Sequence, residues 1–240
     1  MALLAGAGLA PEVAIVFGEE PDPEQPLTPF ATTLHKYWNL DAREVVTRRR
    51  GEETLAAEIL GATVSFLPFR DAIYRDGRYQ SGDRLFGEPA PAEDHLPAAI
   101  VAAMALDGMP DPAVRLYAPL GIGRHVDHQH AFAAGLRLAR VGWDVWFYED
   151  LPYALADGAL ESRLAEVSVG LTAAARVGVA ATWEAKVAAI LAYASQVAAV
   201  FGRAGGDGSA ADVDGRLRAY AVGIGDGSPA ERFWRRRDLG

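Results

Sequence analysis

The sequence predicts an α/β protein whose mainly parallel sheet is covered by helices on both faces. Two observations carry the prediction. Short apolar or β-branched runs recur at Val13–Phe17, Thr63–Pro68, Arg115–Ala118 and Asp144–Tyr148. Segments of helical period separate them, and strand–helix alternation is the pattern of parallel sheets with crossover helices. The 240 residues, half of them hydrophobic and 23% charged, are enough for one domain spanning 1–240 with a sizeable core.

Each element has a local reason. Met1–Ala10 reads as a helix tail leading into the first strand, because it lacks the basic leader of a signal peptide. Gly18–Pro29 holds four prolines and four acids and must be a loop. Asp41 with Glu44 forms a capping box that opens a helix ending before Gly61. Arg75–Asp94 has glycine, proline and charge with little periodicity, so it reads as a second long loop. Leu96–Leu106 is helical, stopped by Gly108 and Pro110. Asp127–Val141 is helical, with Gly142 beyond it. Thr182 is placed to cap a helix running through Trp183–Phe201. Gly202–Asp214 reads as loop.

Composition excludes several functions. The formal charge of −9 opposes nucleic-acid binding. The absence of cysteine rules out disulfides and thiolate metal sites, so any metal needs His nitrogen and carboxylate oxygen. No run is long and apolar enough for a transmembrane segment, and a soluble, cytoplasmic protein is expected. Oligomeric state is left open.

The chemistry concentrates in Pro119-Leu-Gly-Ile-Gly-Arg-His125-Val-Asp127-His128-Gln-His130, where three of the five histidines follow a strand and a glycine turn. Ligands in open α/β sheets bind beyond the carboxyl ends of strands. His125, Asp127 and His128 suit a metal ligand with charge-stabilising partners. The plain alternative is a polar cap, with Asp127 as N-cap and both histidines in solvent. His130 points to another helix face and reads as a surface or lightly packed residue. Tyr148-Glu149-Asp150-Leu-Pro152-Tyr153 places paired carboxylates at the next strand end. They could serve the site or simply end a strand. Arg48-Arg49-Arg50-Gly-Glu52-Glu53 is either an anion or sugar clamp or a salt-bridged helix surface. Asp71-Ala-Ile-Tyr74-Arg75 is a weaker loop candidate. His35, among aromatics, reads as a packed or surface helical residue, and His95 as a helix start without a role.

Pro119–His128 together with Tyr148–Tyr153 resembles the PIG-L/LmbE-like N-deacetylases. Supporting likenesses run from Phe17-Gly18-Glu19 through Arg49–Glu53 to Glu231–Trp234. The resemblance implies a Rossmann-like, doubly wound, mostly parallel sheet. It also implies a zinc or similar divalent ion and hydrolytic removal of an acyl group from an amino-sugar conjugate. It makes His128 a metal ligand, His125 the group that stabilises the oxyanion as imidazolium or protonates the leaving amine, and Asp127 the residue that orients a histidine. Arg49 or Arg75, with Glu149 and Asp150, would bind the rest of the substrate. The family's first motif, His-Pro-Asp-Asp-Glu, has no counterpart here. The expectation is therefore a fold missing its first strand and an incomplete, impaired metal site. A noncatalytic sugar-binding or interaction protein retaining the fold is the alternative.

Overall fold

The computed structural model describes residues 1–22, 24–38, 44–106, 108–167 and 170–237. In chain order they form α1 (Ala2–Gly6), β1 (Glu12–Ile15), α2 (Pro29–Trp38), α3 (Glu44–Ile59), β2 (Thr63–Phe66), α4 (Gly82–Leu85), α5 (Leu96–Ala103) and β3 (Arg115–Pro119). There follow α6 (Val126–Arg140), β4 (Asp144–Tyr148), α7 (Ala159–Glu166), β5 (Leu171–Gly178), α8 (Trp183–Leu191), α9 (Val197–Arg203), α10 (Ala210–Ile224) and β6 (Ala230–Arg236). The architecture is mixed α/β, and none of these helices is long and apolar enough to cross a membrane.

The strands pair in two groups among the described residues. β1 and β2 form a parallel pair, and β3-β4-β6-β5 form a second sheet. β3 and β4 are parallel with Leu116 opposite Val145, whereas β6 runs antiparallel to both β4 and β5. The expected single, mainly parallel sheet is thus corrected in two respects. It is divided between β1 and β3, and its far end contains an antiparallel strand. The four anticipated strands are present; β5 and β6 carry no strand signal in the sequence, because one is alanine-rich and the other arginine-rich.

Alternation along β4 explains where the core lies. Val145 and Phe147 point into a cluster with Leu120, Ile122, Phe132 and Trp234, while Asp144, Trp146 and Tyr148 face the other way. A second cluster gathers Trp183, Val197, Phe201 and Leu217 beneath α8–α10, and a third packs Ile73, Tyr79, Leu85 and Val126 around the loop after β2. The Asp41 capping box lies outside the described residues.

The expected Trp183–Phe201 helix is broken into α8 and α9. Thr182 makes no side-chain cap bond; its hydroxyl donates to the Val179 carbonyl at 3.4 Å. The break lies where α3 takes the chain's polar groups. Glu52 accepts from the Ser195 backbone N–H (2.9 Å) and hydroxyl (2.7 Å), and Glu53 accepts from the Tyr193 hydroxyl (2.6 Å).

Candidate active site

The site is built on the turn between β3 and α6. Leu120 extends the ladder by donating its N–H to the Tyr148 carbonyl, then the chain turns through Gly121 (φ 79°) and Gly123 (φ 84°). These left-handed conformations favour glycine, which has no Cβ to clash. Space demands it as well: a Cβ on Gly123 would lie 2.5 Å from the Tyr153 ring. Gly123→Ala is therefore expected to cost about 3 kcal/mol by combining backbone strain with overpacking. Urea denaturation measures this, and a loss below about 1 kcal/mol would contradict it.

Asp150, buried at the end of β4, ties this turn to the histidines. Its Oδ2 accepts the backbone N–H groups of Gly121 (2.8 Å) and Ile122 (3.0 Å). Its Oδ1 lies 2.7 Å from His128 Nδ1. A carboxylate accepts only, so Nδ1 carries the proton and the Nε2 lone pair of His128 is directed elsewhere. Burial would depress the His128 pKa, but the Asp150 hydrogen bond and charge outweigh it and hold the value above the ordinary one. The side chain keeps 38% of its surface exposed, so Nε2 chemistry is accessible.

His125 is the N-cap of α6, not Asp127. Its Nδ1 accepts the Asp127 backbone N–H at 3.2 Å, which leaves the ring proton on Nε2. Burial first, and the neighbouring His128 second, push its pKa down to about 3. The expected imidazolium is accordingly a neutral imidazole in the resting site. The two rings stand with centroids 5.4 Å apart. Together they offer one acceptor, His128 Nε2, beside one donor, His125 Nε2–H. That pairing can present a lone pair to the reacting centre and donate to a developing oxyanion.

Several sequence-predicted roles are corrected. Asp127 does not orient a histidine through its carboxylate. That group is buried against Arg75, 2.7 Å away, and accepts the Ala72 N–H at 3.1 Å. Burial pushes its pKa up to about 6, against the pull of Arg75. Arg75, expected at the substrate, is turned inward onto Glu93 and Asp127. Glu149 is likewise internal, accepting from Trp234 Nε1 (2.9 Å), Arg232 Nε (2.5 Å) and the Tyr220 hydroxyl (2.5 Å). Asp150 positions His128 and the turn, and both its oxygens are occupied by protein donors. His130 is buried rather than at the surface, with Nε2 3.0 Å from Glu93 Oε2. Glu93, which sequence reasoning did not single out, is the centre of that buried network.

The arginine run resolves into three different fates. Arg48 pairs with Glu52 at 3.6 Å, and Arg50 donates twice to the Gly18 carbonyl. Arg49 reaches Asp71 Oδ2 (3.4 Å) and Gln196 Oε1 (2.9 Å) and stacks 4.2 Å over the Trp38 ring. Asp71 in turn caps a short 3-10 turn through the Ile73 N–H, and its charge acts on both His125 and His128.

A catalytic zinc site needs three protein ligands with one open position. Among the described residues no group of three or more His, Asp or Glu side chains is placed to hold a metal ion. The carboxylates nearest His128 are already engaged by N–H donors or arginine. The donor set at hand does not fit a resident metal.

No family model matches the chain. It is 35% identical over 118 residues to the 2'-N-acetylparomamine deacetylase of Niallia circulans, a match covering 45% of this chain and 41% of that protein. The chain thus spans less than half of this curated relative. Among solved structures it is similar to a deacetylase of the teicoplanin biosynthesis pathway, with TM-score 0.77 and 25% identity, covering 100% of this chain and 92% of the other. It is also similar to the A40926 pseudoaglycone deacetylase Dbv21, with TM-score 0.72 and 26% identity, covering 100% and 90%.

Proposed function

We propose that this chain belongs with the PIG-L/LmbE-like deacetylases and serves hydrolytic removal of an N-acyl group from an amino-sugar conjugate. We propose further that its 240 residues build only part of the site. The observation that carries the reading is the His128–Asp150 contact of 2.7 Å beside a neutral His125 at the carboxyl ends of β3 and β4. In this reading His128 Nε2 presents its lone pair to the reacting centre and would be a ligand to a divalent ion in the completed site; a carboxylate of the completing strand takes the proton of the attacking water and returns it to the departing amine, and His125 Nε2–H donates to the oxygen of the tetrahedral intermediate. Arg49, fixed by Trp38 and Gln196, faces the rest of the substrate from Asp71. A divalent ion such as zinc, if bound once the site is completed, would add Lewis-acid polarisation of the amide.

Completion has a place in the fold. Among the described residues β1 pairs only with β2 and β3 only with β4, so each leaves one edge without a ladder. A parallel strand set between them would join the two sheets, and its carboxyl end would emerge at the histidine rim. The resemblance assigns two ligands and the general base to such a strand. The reading is therefore a crippled hydrolase in the isolated chain, active when the strand is provided.

The test follows amine release from an N-acetylated amino-sugar glycoside, with and without added zinc. It compares the chain alone with the chain extended by a strand ending in His-Pro-Asp-Asp. Zinc-dependent turnover only in the extended form, abolished by His128→Ala, is expected. Turnover that survives His128→Ala would overturn the assignment, and full turnover by the chain alone would overturn the impairment. Because no three-ligand group is present among the described residues, a noncatalytic sugar-binding reading stands second; it requires binding without amine release in either form.

A further inference from the structure

The arginines around the histidine pair are neutralised, with one exception among the described residues. Arg49 pairs with Asp71, Arg75 with Glu93 and Asp127, Arg124 with Glu88 and Glu166, and Arg163 with Glu166. Arg203, in the last turn of α9, has no carboxylate partner among the described residues, and no acceptor among them takes its N–H groups. An arginine at that position ordinarily complements the carbonyl dipole of its own helix. This guanidinium lies instead 4.9 Å over the ring of Phe86, the residue that ends α4.

Phe86 brings that charge to the site. Its ring centre stands 5.3 Å from that of His125, at 82°, and 6.1 Å from that of Tyr153. Tyr153 stands 5.9 Å from His128, so with the His125–His128 contact the four rings close a circuit. The distances of 4.9 and 5.3 Å confine the guanidinium carbon to within about 10 Å of the His125 ring centre. One sugar with a charged substituent covers that span. The electrostatics agree. Behind burial and the neighbouring His128, the charge of Arg203 helps to depress the His125 pKa. It also opposes the upward push of burial on the Tyr153 hydroxyl.

The formal charge of −9 makes the surface as a whole repel anions. A free guanidinium at the rim reverses that locally. Stacking on Phe86 restricts the side chain before a ligand arrives and leaves its N–H donors unspent. The planar fork of those donors matches a carboxylate or phosphate, which can accept two parallel hydrogen bonds, better than a single sugar hydroxyl. A cationic substituent would be repelled.

We propose that Arg203 is an anion-binding residue of the substrate site, selecting amino-sugar conjugates that carry a carboxylate or phosphate close to the N-acyl group. The proposal rests on the deacetylase reading and narrows its substrates to acidic conjugates. The test is calorimetric titration of the full chain, at low salt, with N-acetylglucosamine 6-phosphate, N-acetylmuramic acid and neutral N-acetylglucosamine. An acidic sugar should bind about tenfold tighter than the neutral one, and which acid does so separates phosphate from carboxylate. The advantage should shrink at high salt. Arg203 is exposed, so Arg203→Gln leaves the core intact, and it should bring the acids down to the affinity of the neutral sugar. Equal affinity for all three sugars, binding of none, or an advantage that survives either salt or Arg203→Gln overturns the proposal. Amine release is scored separately on the strand-extended form. Tighter binding of an acid with no amine released from any sugar would keep the anion site and sink the deacetylase reading. Release from all three at equal kcat/KM, with equal affinity, would do the opposite.

Discussion

Asp150→Asn is expected to preserve the fold and to remove about four orders of magnitude from any deacetylation this site supports. The asymmetry of its partners forces the result. Oδ2 faces two backbone N–H groups, from Gly121 and Ile122, while Oδ1 faces His128 Nδ1. An asparagine must turn its carbonyl oxygen to the two N–H groups, because the opposite orientation would set donor against donor twice in a buried site. Its NH2 then points at Nδ1 and makes that atom an acceptor. The imidazole proton moves to Nε2, the atom whose lone pair the reaction needs. The same exchange in a serine-protease triad costs about 10⁴ in kcat for this reason. Two readouts need no turnover. Nitrogen NMR should report the change of tautomer. The His128 pKa, now held above its ordinary value by Asp150, should fall. A raised histidine pKa favours the folded state at low pH. That contribution is fully present below about 6.5 and fades as pH rises through the folded value. The substitution should remove this slope from the pH dependence of Tm. Asp150→Ala, which leaves both N–H groups unpaired, should in addition cost about 3 kcal/mol. An unchanged His128 tautomer in Asp150→Asn would refute the positioning role.

Much of this site could be read from spacing, and its wiring could not. A histidine cluster after an apolar strand and a glycine turn puts His125 and His128 at the carboxyl ends of β3 and β4, because that depends on chain-local features. Which carboxylate faces which imidazole depends on the register of β3 against β4, which sets Asp150 rather than Asp127 beside His128. His130 reads as peripheral by helical angle alone. It is buried because the long loop after β2 folds back to bring Glu93 against it. The fold divides in the same way. Asp144–Tyr148 carries its own β-branched and aromatic signal, and its bounds are those observed. Ala173-Ala-Ala does not look like a strand, and Arg235-Arg236 does not look like part of a paired one. They become strands because Trp234 is buried on β4 and donates to Glu149. The break between α8 and α9 has no glycine or proline to announce it, since its cause lies on α3, some 140 residues earlier in the chain.

Arg75→Met is expected to destabilise the protein by about 3–5 kcal/mol, a large share of the roughly 5–15 kcal/mol available to a folded domain. Arg75 is only 10% exposed, and it serves two buried carboxylates at once. It donates to Glu93 at 2.9 and 3.2 Å, pairs with Asp127 at 2.7 Å, and donates to the Arg70 carbonyl at 2.8 Å. Methionine fills comparable volume between Phe17 and Tyr79, so the loss comes from stranded charge rather than from a cavity. The pH dependence distinguishes the two causes. Burial alone would raise the Glu93 pKa, but bonds from His130, Arg75 and Tyr79 with the charge of Arg75 hold it near 2. That stabilisation is present above the unfolded value of about 4.5 and is lost as pH falls toward 2. Asp127 differs in sign. With its pKa raised to about 6, the folded state takes up a proton before the unfolded chain does, so acidification from pH 7 favours folding at this residue. Without Arg75 both carboxyl pKa values should climb. The deficit of the variant should therefore be greatest near pH 7 and shrink toward about pH 5 as the stranded groups protonate. Adding Glu93→Gln should recover part of it, because one of the two unpaired charges is gone. The consequence reaches the site through Asp127, whose carboxylate also holds the Ala72 N–H and with it the turn that presents Asp71. Urea denaturation of the single and double variants at the two pH values decides the matter. A deficit below about 1 kcal/mol, or one that does not change with pH, would mean the network carries no buried charge worth pairing.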